Sequence, residues 1–251
     1  MLTQERKALI LDVLRREGRV VAKSLSQDLR LSEDTIRRDL RELAAEGRLQ
    51  RVHGGALPSS PAVMDFAGRT TLASSAKTAI GRAAARLIQP GQIVFLDGGT
   101  TAVQLARHLP PDLSATVLTH SPSVAVELIS HPNVEVELIG GRLFKHSVVA
   151  VGAMAAEAIA RVRADVFFMG VTGVHPEVGL TTGDAEEAAI KRLISSQAAE
   201  TVVLASTEKL GAASPYLVVP LSGVSTIVVG EAVSDEVVQP YRTLGIDIVT
   251  A

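Results

Sequence analysis

Apolar residues recur at helical spacing through the first fifty positions and then change to short runs that are apolar throughout. Over residues 7–16, Ile10, Leu11 and Leu14 form one stripe, and Gly18 stops it. Residues 22–29 hold Leu25 and Leu29, and Arg30 and Leu31 make a tight turn. A third helix starts after Ser32, with Ile36, Leu40 and Leu43 spaced four and three apart and therefore on one face. Ser32 is placed to accept an open backbone N–H, and Glu33 and Asp34 lie in the first turn, where the helix dipole favours negative charge. The outward face carries Thr35, Arg37, Arg38 and Arg41. The plain reading of those arginines is a solvated face, with Arg38 near Glu42 and Arg37 near Asp39. Two short helices, a tight turn and a basic third helix instead point to a helix-turn-helix that enters a DNA groove. Residues 49–52 predict a strand and residues 51–55 a wing, with Arg51, His53 and Gly54 set to meet phosphate or the minor groove.

Periodicity lapses over Gly54 to Pro61, GGALPSSP. This places a DNA-binding unit at 1–57, a linker at 58–64 and a second unit at 65–251. In the second unit, runs at 93–96, 116–119, 134–139, 166–169, 201–205, 226–229 and 247–250 read as strands. Segments 77–88, 100–109, 123–129, 152–160, 185–199 and 236–241 read as helices. Short strands that are apolar on both faces and separated by helices predict βαβ units: a mostly parallel, three-layer α/β domain behind a winged helix-turn-helix.

Ligands in such sheets sit beyond the C-terminal strand ends. The run 93–96 exits into Asp97-Gly98-Gly99-Thr100-Thr101, where glycines admit a ligand and helix-start N–H groups attract an anion. The plain alternative is a tight βα turn capped by Thr100. The loop lacks a P-loop's Gly-Lys-Ser/Thr, and no Gly-x-Gly-x-x-Gly follows a strand, so ATP and NAD are poor fits and no cofactor is expected. Other strand exits are Thr119-His120-Ser121, Gly140-Gly141-Arg142 and Gly170-Val171-Thr172-Gly173. Four such exits on one sheet edge favour a cleft, with His120 its weakest member. Asp184 reads as a helix cap, Glu187 and Lys191 as an i,i+4 surface pair, and Lys209 as a phosphate or sugar partner or an ordinary surface lysine.

Composition narrows the picture. The 251 residues are 47% apolar, and no apolar run approaches a membrane span. The first residues, Met1 to Arg6, lack the apolar core of a signal peptide. The chain has no cysteine, which excludes disulfides, thiolate zinc and cysteine nucleophiles; no metal site is expected, and a cytoplasmic location fits. Residues 1–57 hold 12 Lys and Arg against 9 Asp and Glu, and the rest hold 13 against 18, so only the N-terminal unit is basic. Its excess of three charges is small, so a homodimer or homotetramer presenting several such units to double-stranded DNA is expected.

The segment SEDTIRRDLRELAAEGRLQRVHGGA, residues 32–56, resembles the DNA-binding signature of the DeoR family of bacterial sugar-metabolism repressors almost without gaps. Residues 62–250 resemble that family's sensor domain through Arg69 and Lys77, then LDGGTT, GGR, GVTG, GLTTGDAEEAAIKR and the EKLG loop. The resemblance implies a fold similar to ribose-5-phosphate isomerase, operator DNA as partner, and a phosphorylated sugar as effector. It assigns DNA contact to Ser32, Thr35, Arg37, Arg38, Arg41, Arg51, His53 and Gly54. It assigns effector contact to Arg69, Lys77, Asp97, Gly98, Gly99, Thr100, Thr101, Gly141, Thr172, Asp184 and Lys209. Two departures stand out. Thr119-His120-Ser121 replaces Thr-Asn-Ser, and Ala205 replaces the Asp that opens the Asp-x-Ser-Lys loop, so a carboxylate is lost or moved to Glu208. The competing readings are an aldose–ketose phosphate isomerase tethered to DNA, with Asp97, Asp184, Glu187 or Glu208 as base, and a DNA-binding scaffold whose α/β domain only oligomerises.

Overall fold

The computed structural model describes residues 2–60, 64–72 and 74–251. The N-terminal unit runs α1 (Thr3–Glu17), β1 (Val20–Val21), α2 (Ala22–Asp28), α3 (Glu33–Ala45), β2 (Leu49–Val52) and β3 (Gly55–Pro58). Gly18 ends α1 in the left-handed conformation and donates its N–H to the Leu14 carbonyl at 3.0 Å. Ser32 caps α3, its hydroxyl accepting the Thr35 N–H at 3.2 Å. Ile10, Leu14, Leu25, Ile36, Leu40, Leu43 and Leu49 close one small core. The three strands pair antiparallel in the order β1-β3-β2, completing a winged helix-turn-helix. The approach of β1 to β3 requires Gly55: a Cβ there would lie 1.8 Å from the Val20 carbonyl oxygen.

Charge, as well as packing, joins α1 to α3. Arg6 grips the fully buried Asp39 with two nitrogens, Nη2–Oδ1 at 3.0 Å, and Lys7 meets Glu42 and Glu46, each at 3.0 Å. The expected proximities within α3 are therefore corrected. Asp39 and Glu42 turn to α1, while Arg37 bonds Glu33 at 2.7 Å. The unit also extends past residue 57, because Pro58 pairs with Leu49. Residues 61–63 of the expected linker lie outside the described residues.

The second unit follows as α4 (Phe66–Thr71), α5 (Ser74–Ala85), β4 (Ile93–Leu96), α6 (Thr100–Arg107), β5 (Ala115–Thr119), α7 (Pro122–Leu128), β6 (Val134–Leu138), β7 (Arg142–Phe144), β8 (Val149–Val151) and α8 (Ala153–Ile159). It continues with β9 (Ala164–Gly170), β10 (Gly173–His175), β11 (Gly179–Thr182), α9 (Ala185–Gln197), β12 (Ala198–Ala205), β13 (Tyr216–Leu217), β14 (Thr226–Val229), α10 (Asp235–Thr243) and β15 (Asp247–Thr250). Seven strands form one wholly parallel sheet in the order β15-β14-β12-β9-β4-β5-β6. These are the seven runs expected as strands. Alternate residues feed two cores: Phe95, Phe167, Met169, Val203 and Ile227 pack under α8, α9 and α10, while Val94, Leu96, Phe168, Leu204 and Val228 pack under α5, α6 and α7. The short hairpin β7–β8 and the antiparallel trio β10-β11-β13 were not expected.

The chain enters the sheet at β4, winds outward to β6, then crosses back to β9 and winds the other way. The order therefore reverses between β4 and β9, and a crevice opens beyond their C-terminal ends. Among the described residues, no helix is long and apolar enough to cross a membrane.

Candidate ligand cavity and nucleic-acid interface

Asp97 leaves β4 at this switch point, with its side chain fully enclosed. It accepts the N–H of Gly98 and the N–H of Gly170, each at 2.8 Å, the His120 Nε2 at 3.0 Å, and the Lys191 ammonium. One carboxylate thus ties the ends of β4, β5 and β9 to α9. Burial pushes the Asp97 carboxyl up, but the charge of Lys191 and the His120 hydrogen bond outweigh it and hold it far below the usual carboxylate range. Lys191 is equally buried; against that burial, Asp97 and Glu187 raise its ammonium above the usual lysine value.

Above this knot, the loop turns through Gly99 at φ 103° into the N-terminus of α6. A recess opens here, walled by Gly98 to Ala102, Gly170, Val171, Thr172, Ser147 and Thr182. Four cationic side chains, Arg69, Lys77, Lys191 and Lys209, and one carboxylate, Glu187, complete it. Glu187 is committed to the protein: it accepts Thr182 Oγ1 at 3.1 Å and Ser147 Oγ at 3.3 Å, and pairs with Lys191 at 3.3 Å. Lys191 is spent on Asp97 and Glu187. The other three cations have little to neutralise them.

Among the described residues, Lys209 Nζ reaches only the Leu204 carbonyl, at 3.5 Å. Burial lowers its ammonium to about 8, with the charges of Lys77, Arg69 and Lys191 adding to burial and only Glu208 opposing. Burial also lowers Arg69 and Lys77. Lys77 Nζ donates to the Arg69 carbonyl at 2.6 Å, so the two are locked together. The buried Arg69 Nε has no hydrogen-bond partner among the described residues. Converging cations, a free guanidinium N–H and open N–H groups at a helix start are the donor set for a multiply charged oxyanion.

The expected effector residues divide three ways. Arg69, Lys77, Gly98, Gly99, Thr100, Thr101, Thr172 and Lys209 meet in the recess. Asp97 does not line it; it is the counter-ion beneath, paired with Lys191. Gly141 does not line it either; it is exposed, and Ser147 from the β7–β8 turn stands in the wall. Asp184 caps α9 through the Glu187 N–H at 2.9 Å and borders an adjoining recess with His146 and Gly183. Glu187 and Lys191, expected as a surface pair, are buried, because the face of α9 carrying Ile190 and Ile194 packs on the sheet. His120 is buried as well, its ring nitrogens held by Asp97 and the Ala150 carbonyl. Its lone position in the sequence gave no sign of this. The carboxylate absent at Ala205 has a neighbour in Glu208, which binds Ser206 Oγ at 2.6 Å and lies outside the cavity wall.

On the N-terminal unit, Arg38 and Arg41 project from α3 into solvent with no ion pair among the described residues. Thr35 Oγ1 lies 2.9 Å from Ser32 Oγ, completing the cap. Arg51 is exposed on β2, and His53 and Gly54 form the exposed wing turn, with Gly54 at φ 78°. Arg48, exposed at the start of the wing, joins this basic surface without having been singled out.

Residues 72–231 match the family model described as the DeoR C terminal sensor domain, and residues 6–61 match the DeoR-like helix-turn-helix domain. The chain is 38% identical over 214 residues to the HTH-type transcriptional regulator GlpR of Haloferax volcanii, covering 84% of this chain and 83% of that one. It is 34% identical over 230 residues to the HTH-type transcriptional repressor GlcR of Bacillus subtilis, covering 91% and 88%. Among solved structures, ribose 5-phosphate isomerase A of Methanocaldococcus jannaschii aligns at a TM-score of 0.41 and 17% identity over 54% of each chain.

Proposed function

As the chain belongs to the DeoR family of helix-turn-helix transcriptional regulators, we propose that it represses a sugar-catabolism operon and releases it when a phosphorylated sugar intermediate enters the cavity at the sheet switch point. The observation that carries this reading is the convergence of Arg69, Lys77 and Lys209 on the N-terminus of α6, with Arg69 Nε lacking a partner among the described residues. A phosphate dianion supplies the charge and the acceptors that this set lacks, and Thr100 and Thr101 add hydroxyl donors. The sugar hydroxyls extend toward the recess bordered by His146 and Asp184.

Operator contact belongs to Arg38 and Arg41 of α3, with Arg51 and His53 on the flanking backbone. One such unit is only weakly basic, so the working form is a homo-oligomer acting on DNA in the cytoplasm. The relatives are named regulators, and of the four carboxylates considered as an isomerase base, Asp97 and Glu187 are consumed in internal pairs, Asp184 caps α9 and Glu208 accepts Ser206 Oγ outside the cavity wall.

The test is a thermal-shift screen of sugar phosphates against wild type and Thr100→Ala/Thr101→Ala, followed by gel shifts on the DNA upstream of the protein's own gene. A ligand at a hundred times its Kd adds about 2.7 kcal/mol to wild-type stability. The same ligand must also release the DNA. If no phosphorylated sugar stabilises wild type, or if the double variant responds equally, the cavity is not the effector site.

A further inference from the structure

Two short rods connect the cavity to the winged helix-turn-helix. The first is the β10–β11 hairpin. At its open end, Thr172 and Thr182 stand in the cavity wall, Thr172 Oγ1 bonded to Ser214 Oγ at 2.7 Å and Thr182 Oγ1 to Glu187 at 3.1 Å. At its closed end, Glu177 accepts Arg19 Nη1 at 3.0 Å, just before β1. The turn is braced by His175 Nδ1, which accepts the N–H groups of Glu177 at 3.1 Å and Val178 at 3.3 Å. His175, Glu177 and Val178 border a groove whose other wall includes Val20, His53, Gly54 and Gly55. Of the six residues from Thr172 to Glu177, Gly173–His175 are extended strand and Pro176 and Glu177 lie in the turn.

The second rod is the segment from Lys209 to Ala213. Lys209 lies in the cavity, and Ala213 donates its N–H to the Pro58 carbonyl at 3.3 Å and pairs with Ser59 at the end of the wing. The rods are pinned together at Val174, which bridges to Leu210 and whose carbonyl accepts the Gly211 N–H and the Tyr241 hydroxyl, each at 2.8 Å. There is no slack between them: a Cβ on Gly173 would lie 2.6 Å from the Ala212 carbonyl oxygen. Packing this close passes a displacement on rather than absorbing it.

We propose that these paired rods are the coupling element between effector and operator. This rests on the anion reading of the cavity given above. An anion that draws in Lys209 and the Thr172–Thr182 end of the hairpin moves Ala213 and Glu177. Both ends press on the N-terminal unit, at Pro58–Ser59 and at Arg19, so the shift re-sets the orientation of α3. Coupling of this kind is reciprocal: holding the junction still must change anion affinity at the other end of the rods.

The chain's lack of cysteine makes this testable. Ser59 and Ala213 are bridge partners, a spacing suited to a disulfide. In Ser59→Cys/Ala213→Cys, the Kd of inorganic phosphate is measured by calorimetry in the reduced and oxidised forms of the full chain. The reduced form should match wild type, and oxidation should shift the Kd by at least about fivefold, returning on reduction. Should that variant not fold, Arg19→Cys/Glu177→Cys, at two exposed positions and joined by a short bis-maleimide, is read the same way. Phosphate binding that is intact but identical with the junction locked or free overturns the coupling and leaves the cavity reading standing. Absence of phosphate binding in wild type removes the cavity reading and the coupling with it.

Discussion

Raising the pH should weaken phosphate binding through one residue, Lys209. Burial and three neighbouring cations bring its ammonium down to about 8 in the ligand-free protein. A dianion beside it favours the charged form, so its value in the complex is higher than in the free protein. The sign follows directly. Below pH 8 Lys209 is already protonated and adds no pH dependence to the Kd. Above pH 8 binding must take up a proton, and the Kd rises by up to about tenfold per pH unit until the value in the complex is reached. If the dianion restores an ordinary lysine value, the window is about two and a half units, a loss of roughly 300-fold or about 3 kcal/mol. Calorimetric titration with inorganic phosphate between pH 7 and 10 measures this, and proton uptake appears as a buffer-dependent heat. Lys209→Met should bind weakly at pH 7 and lack the fall above pH 8. A flat wild-type profile from pH 7.5 to 9.5, or the same fall in Lys209→Met, refutes the reasoning. The ligand-free protein should show the opposite trend from this residue, gaining stability as pH rises from 8 toward 10.5 because the unfolded chain keeps a proton that the folded chain has released.

Three further outcomes are expected. Arg38→Ala should lose about 1–3 kcal/mol of operator affinity by fluorescence anisotropy if it reads a base edge, and Arg37→Ala should lose less, because Arg37 is already held by Glu33; equal losses count against this division. Asp97→Ala leaves Lys191 and His120 buried without their common acceptor and should cost about 3–5 kcal/mol in urea unfolding, whereas Thr100→Ala should leave stability within about 0.5 kcal/mol; a mild Asp97→Ala would mean that the knot is not structural. Gly55→Ala drives a Cβ into the Val20 carbonyl and should separate β1 from β3, lowering operator affinity about tenfold or more while α5 to β15 keep their hydrogen-exchange protection; undiminished binding would show that the wing strands can part at no cost.

What could be read from the sequence follows a physical divide. The central parallel strands were visible because burial on both faces demands apolar runs, and 93–96 and 226–229 match β4 and β14 to the residue. The α3 cap was visible because Ser32, Glu33 and Asp34 act locally. Hairpin β7–β8 and strands β10, β11 and β13 were hidden: runs of two to four residues carry no period, and β13 exists only through a partner far along the chain, Thr182 opposite Tyr216. The cavity was half visible for the same reason. Glycines and threonines at a strand exit imply a ligand loop, but nothing in Asp97-Gly98-Gly99 says whether the carboxylate faces outward or down. The partners that turn it down, Lys191 and His120, come from α9 and the end of β5. Glu187 and Lys191 show the limit most clearly, since i,i+4 spacing is the same on a solvated face and on a buried one. Only the packing of Ile190 and Ile194 against the sheet decides between them. That packing turns an ordinary surface pair into the neutralised floor of a cavity, above which Arg69, Lys77 and Lys209 keep their charge for an anion.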